Sequence, residues 1–115
     1  LDRKKDMIKT GGENVASVKV EAVLLAHPAV AGCGVIGLPH PRWAEAVCAV
    51  VVRKPGAELD EATLLAHCRQ HLGGFEVPKL IRFVDALPAT STGKVQKHRL
   101  RQQFEALAQQ AWADE

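Results

Sequence analysis

Residues 45–53 read EAVCAVVVR, and the three valines in succession constrain this chain more than any other feature. β-Branched side chains lose rotamer freedom in a helix and pack well on a pleated surface, so the run predicts a buried strand. CGVIGL at 33–38 reads the same way. PHPRW between them, with two prolines, is expected to be a connecting loop, and Pro55-Gly56 ends the second strand.

Around this apolar centre the remaining segments fall into place. LDRKKDMIKTGGENV at 1–15 has charged ends, a short apolar middle (Met7, Ile8) and a Gly11-Gly12 pair, which predicts a small hairpin. SVKVEAVLLAHP admits both a strand alternation and a helical stripe through Val18, Ala22 and Leu25. Its length and the serine at its start favour a helix with Ser17 as N-cap. Residues 60–72 predict a helix capped by Asp60, preceded by Leu59, with Leu65, Cys68 and Leu72 inward and Gly73-Gly74 as its stop. KLIRFVDALP supplies a third strand. A last helix begins near Val95 and turns Leu100, Phe104 and Leu107 inward, with the Ala- and Gln-rich tail finishing it. The expected fold is α+β: a small, mostly antiparallel three-stranded sheet flanked by helices, with an N-terminal β-hairpin. With 115 residues, one domain covering 1–115 is expected.

The charges are unevenly placed. PATSTGKVQKHRLR at 88–101 puts Lys94, Lys97, Arg99 and Arg101 into eight residues, and no acid stands between Asp85 and Glu105. A helix N-terminus carries partial positive charge and disfavours cations, so this crowding asks for an anionic partner. Gly93 permits close approach to the backbone, and Lys94 follows it as a point charge on a flexible stem. Such a lysine can stabilise charge moving from a carboxylate onto phosphate oxygens. Taken alone, TGK reads more readily as a solvated helix start, because the full phosphate loop is absent. DRKKDMIK, with Arg3, Lys4, Lys5 and Lys9 between Asp2 and Asp6, reads alone as an exposed salt-bridged hairpin.

Together the two clusters are specific. DRKKDMIKTGGENV, followed much later by LPATSTGKVQKHRLR, resembles the C-terminal domain of the adenylate-forming enzymes. That superfamily holds acyl-CoA synthetases, peptide synthetase adenylation domains and beetle luciferases. HPAVAGCGVIGLPHPRWAEAVCAVVV fits its middle, so the resemblance covers nearly the whole chain. It implies a catalytic role for Lys94 on the substrate carboxylate and α-phosphate, with Thr92 and Gly93 shaping its turn. It places Arg3 near the nucleotide ribose and Lys5 at the hinge. It sets Lys9 and Gly12 in the thioester step, Gly12 at the pantetheine tunnel. Two departures stand out: Lys19 where relatives often have an acid, and Ala44 where a glycine is frequent.

The implied protein is an ATP-dependent acyl-CoA synthetase acting on a fatty or aryl carboxylic acid. Its cofactors are ATP, coenzyme A and Mg2+, the metal bound mainly by a large N-terminal domain of the same polypeptide. The isolated chain is then expected to be inactive. Thr92 and IKTGGENV favour a coenzyme A ligase over an adenylation domain loading a carrier protein. A stand-alone binding or regulatory module is the reading from another class. Net charge of +2 and three phenylalanines discourage nucleic-acid binding. His67, Cys68 and His71 lack a fourth ligand, so no metal site is expected. Arg42 and Arg69 are read as solvated, and Trp43 and Trp112 as packing or domain-contact residues. Three unpaired-spacing cysteines predict a reduced, cytoplasmic setting. The apolar stretch at residues 22–38 is broken by Pro28 and three glycines, so no transmembrane segment is expected. A chain opening on leucine without a leader is expected to be a fragment with no targeting signal.

Overall fold

The computed structural model describes residues 7–113. The chain runs β1 (Met7–Thr10), β2 (Glu13–Ala16), α1 (Ser17–Leu25), β3 (Val30–His40), β4 (Ala44–Arg53), α2 (Glu61–His71), a 3₁₀ turn (Gly74–Glu76), β5 (Leu80–Phe83) and α3 (Lys97–Ala113). The strands make one sheet ordered β2-β1-β4-β3, with β5 also against β4. The three expected strands are therefore joined by the hairpin into a five-stranded sheet. β1 reaches β4 through the Thr10–Ala44 pair. All pairings are antiparallel except β4 with β5.

Why the central runs are uniformly apolar is plain from the two faces of the sheet. Side chains alternate along a strand, and here both faces are covered. Val35, Val47, Ala49 and Val51 pack with Val20 and Leu24 of α1 and Leu64 and Cys68 of α2. Ile36, Ala46, Cys48 and Val50 pack with Leu100, Phe104 and Trp112 of α3 on the other face. Each fully buried branched side chain contributes about 1.5–3 kcal/mol, so β3 and β4 dominate the core energetics.

Several boundaries differ from the sequence expectation. Pro39 and His40 continue β3, paired with Glu45 and Ala44, so the expected PHPRW loop shrinks to a turn at residues 41–43. β3 lies at the sheet edge, where a proline's missing N–H costs little. Ser17 does not cap α1: the cap position is Ala16 without a side-chain bond, and Ser17 is buried facing α3. Asp60 does cap α2, accepting from the Thr63 N–H at 2.8 Å. In α2 the inward residue is Leu64, with Leu65 only partly covered. In α3 it is Ala108 that turns inward, while Leu107 remains exposed. The stripe follows the 3.6-residue period through Leu100, Phe104, Ala108 and Trp112.

Candidate functional site

Lys94 stands on a loop closed by the Ala89–Val95 bridge. Within it the Thr90 N–H donates to the Lys94 carbonyl at 2.8 Å and the Gly93 N–H to the Thr90 carbonyl at 2.8 Å. The Lys94 N–H donates to Thr90 Oγ1 at 3.1 Å, and the Thr90 and Thr92 hydroxyls bond each other at 2.9 Å. Gly93 has φ of +88°, a conformation that side chains resist, so its place before the lysine has a backbone cause. Lys94 itself is exposed.

A hollow of about 640 Å³ opens beside this loop, lined by Lys94, Lys97, His98 and Arg101 together with Glu21 and Cys33. The crowded cations are thus partly answered from within the domain. Lys97 bridges to Glu21 at 2.9 Å and donates to Ser17 Oγ at 2.9 Å. Glu21 also accepts from the Val35 N–H at 2.9 Å, satisfying a donor on the open edge of β3. Burial pushes the Cys33 thiol up to about 12, and Glu21 adds to the shift, so its reactive thiolate form is disfavoured. Cys48 is likewise raised by burial to about 12, and all three cysteines are free.

The second set of expected residues lies elsewhere. Gly11 and Gly12 make the β1–β2 turn with φ of +59° and +84°. The Gly11 N–H donates to the Trp43 carbonyl at 2.9 Å, and the Lys9 N–H donates to Glu45 Oε1 at 2.9 Å. The turn is therefore fixed to the β3–β4 turn, while the Lys94 loop is fixed near the middle of β3, where Val95 and Leu100 lie over Gly34. From Gly34 to the strand's end at His40 is six residues of β3, roughly 20 Å at the rise of an extended chain. Thr92, Gly93 and Lys94 come together; Lys9 and Gly12 form a separate group. Arg3 and Lys5 lie outside the described residues.

No group of three His, Cys, Asp or Glu side chains among the described residues could hold a metal ion. His67 Nε2 is 2.8 Å from the Val23 carbonyl, and Cys68 is core. No described helix is long and apolar enough to cross a membrane. Sequence reasoning missed the Lys97–Glu21 bridge, whose only signal was a cation run without a nearby acid. It also missed the contact of Trp43 with Gly11.

Residues 19–94 match the AMP-binding enzyme C-terminal domain family. The chain belongs to that family. Among its relatives, the peroxisomal trans-cinnamate:CoA ligase of Petunia hybrida is 48% identical over 88% of this chain and 18% of its own length. A feruloyl-CoA synthase from an Amycolatopsis species is 47% identical over 90% of this chain and 21% of its own. Apo MatB from Rhodopseudomonas palustris superposes with a TM-score of 0.88 at 44% identity, covering 91% of this chain and 21% of that one. This AMP-binding enzyme C-terminal domain thus spans about a fifth of the length of the relatives it matches.

Proposed function

We propose that this domain is the mobile C-terminal part of an AMP-forming acid–thiol ligase that makes acyl-CoA from a carboxylic acid, ATP and coenzyme A. The observation that carries the reading is the presence of two separately anchored loops on one rigid sheet, one cationic at Lys94 and one glycine-rich at Gly11-Gly12. A two-step reaction with different needs at each step uses such a body by turning it.

In the first step a carboxylate oxygen bonds to the α-phosphorus and the bond to pyrophosphate breaks. Lys94 brings its ammonium to the oxygens that carry the moving charge, and Thr92 and Gly93 hold the loop that presents it. Arg3 meets the nucleotide near the ribose. In the second step the coenzyme A sulfur bonds to the acyl carbon, the bond to the AMP oxygen breaks so that AMP departs, and the thiol proton passes to solvent. Rotation about Lys5 withdraws Lys94 and brings Lys9 and Gly12 to the reacting groups. Mg2+ would sit with the phosphates, held mainly by the large domain. The names of the relatives, ligases for cinnamate and ferulate among them, support an aryl or other organic acid and free coenzyme A as acceptor. A cytoplasmic location and a place in fatty-acid metabolism remain part of this proposal.

The test is ATP–pyrophosphate exchange on the full-length protein over a panel of carboxylic acids. Lys94→Ala should lower exchange about 100- to 1,000-fold and spare thioester formation from supplied acyl-AMP. Normal exchange in that variant refutes the assignment. Lys5→Pro should impair the thioester step more than the first; equal loss in both counts against a hinge.

A further inference from the structure

The β3–β4 turn holds a contact to which the two steps above assign no role. His40 is buried, and its Nδ1 accepts two backbone N–H groups, from Arg42 at 3.0 Å and Trp43 at 3.2 Å. Accepting both requires a lone pair on Nδ1, which places the proton of the neutral ring on Nε2. On its other side the ring packs against Trp112 of α3, 4.8 Å between centroids, and Trp112 Nε1 donates to the Pro39 carbonyl at 2.9 Å. His40 is thus clamped between the end of α3 and the turn whose amides it gathers.

Those amides set the place of Trp43, and Trp43 sets the glycine turn. Its carbonyl accepts the Gly11 N–H, and a Cβ on Gly11 would stand only 3.0 Å from Trp43 Cε3. Directly after it, Ala44 sits at φ of +70°, a conformation a non-glycine residue keeps only when its surroundings enforce it. A leucine at 40 would fill much of the same space but leave the Arg42 and Trp43 amides without that acceptor.

We infer that His40 is a positioning residue for the Gly11-Gly12 turn. By holding the two amides it fixes the Trp43 carbonyl and ring on which that turn is built, and so aligns the path of the thiol arm. The inference rests on the reading of Gly12 as part of the thioester step.

Two rates measured separately on the full-length protein test it: acyl-AMP formation from acid and ATP, and single-turnover thioester formation from synthetic acyl-AMP and coenzyme A. His40→Leu should slow the second about 10- to 100-fold and leave the first within about twofold. His40→Asn, whose Oδ1 takes the place of Nδ1, should restore the second to within about fivefold of the parent. An unchanged second step in His40→Leu, an equal fall in both steps, or an asparagine variant no better than leucine would each overturn the inference. Should His40→Leu fail to fold, His40→Gln replaces it, because its longer amide oversteps the Nδ1 position. Equal thioester rates for Gln and Asn then refute the role. Normal exchange in Lys94→Ala removes the ligase reading and this inference with it. A normal two-step ligase indifferent to His40 removes the inference alone.

Discussion

Lys97 and Glu21 meet at 2.9 Å across the junction of α1, the β3 edge and the first residue of α3. Both side chains are mostly covered, 16% and 18% exposed, so water screens the pair less than a surface ion pair. The same carboxylate takes the Val35 amide, and the same ammonium takes the Ser17 hydroxyl. Three residues before Lys97 stands Lys94, so this bridge also anchors the cationic loop. Lys97→Met should lower the unfolding free energy by about 2 kcal/mol, because it leaves a mostly covered carboxylate without its cation. The Glu21→Gln/Lys97→Met double variant should lose less than the sum of its singles. Urea unfolding midpoints measure this, and strict additivity of the two singles would show that the pair does not interact.

Ala44 occupies the left-handed region at φ of +70°, the one described non-glycine residue that does so. An L side chain there costs about 1–2 kcal/mol, against which the larger chain entropy of glycine in the unfolded state offsets about 0.4–1 kcal/mol. Ala44→Gly is expected to raise stability by about 0.5–1 kcal/mol, read from thermal or urea unfolding. Lower stability in that variant would mean the alanine methyl makes a compensating contact.

The resemblance led to the expectation of a glycine at position 44, but the reason for one was not legible, because φ is a property of the turn and not of the residue. Legibility elsewhere follows the range of the interaction. The valine run, the Asp60 cap and the Gly11-Gly12 turn are local, and each appears where the sequence placed it. Ser17 could not be read locally, since its hydroxyl serves Lys97, 80 residues away. The same holds for the inward face of α3: Leu107 and Ala108 are both apolar, and only packing against β3 and β4 selects the smaller. In the candidate site, TGK announced its loop through glycine chemistry. The bonds from His40 to Arg42 and Trp43 had no signal beyond proline-flanked residues that looked like an open loop.

Lys19, the other departure, pairs with Glu76 at 2.8 Å and ties α1 to the 3₁₀ turn. The Glu76 carboxylate also accepts the Gly73 N–H at 2.9 Å. The Lys19 hydrogen bond, more than any other contact, holds Glu76 below its ordinary value of 4.5. A carboxylate whose folded value is depressed contributes stability above its unfolded value and loses it as pH falls through the folded one. Lys19→Met should cost about 1 kcal/mol at neutral pH, modest because Lys19 is 57% exposed. That difference between parent and variant should shrink as the solution is acidified below 4.5. Urea midpoints at neutral and acidic pH give the comparison; a difference independent of pH would assign the effect to packing.

Gly12 separates backbone cost from function. Its φ is +84°, and a Cβ built there meets no heavy atom within 4 Å; Gly56, at +75° in the turn after β4, is the same in both respects. Within the domain the two alanine variants should therefore lose similar stability, about 1 kcal/mol each. Their chemistry should part. If the Gly12 turn lines the path of the thiol arm in the second step, the added methyl meets the ligand or the large domain there. Gly12→Ala should then slow thioester formation by at least about 10-fold while leaving acyl-AMP formation intact, and Gly56→Ala should affect neither step. The pair must be assayed in the full-length protein with both half-reactions resolved. Identical behaviour of the two variants in the thioester step would remove the glycine turn from that step, whatever the role of Lys94.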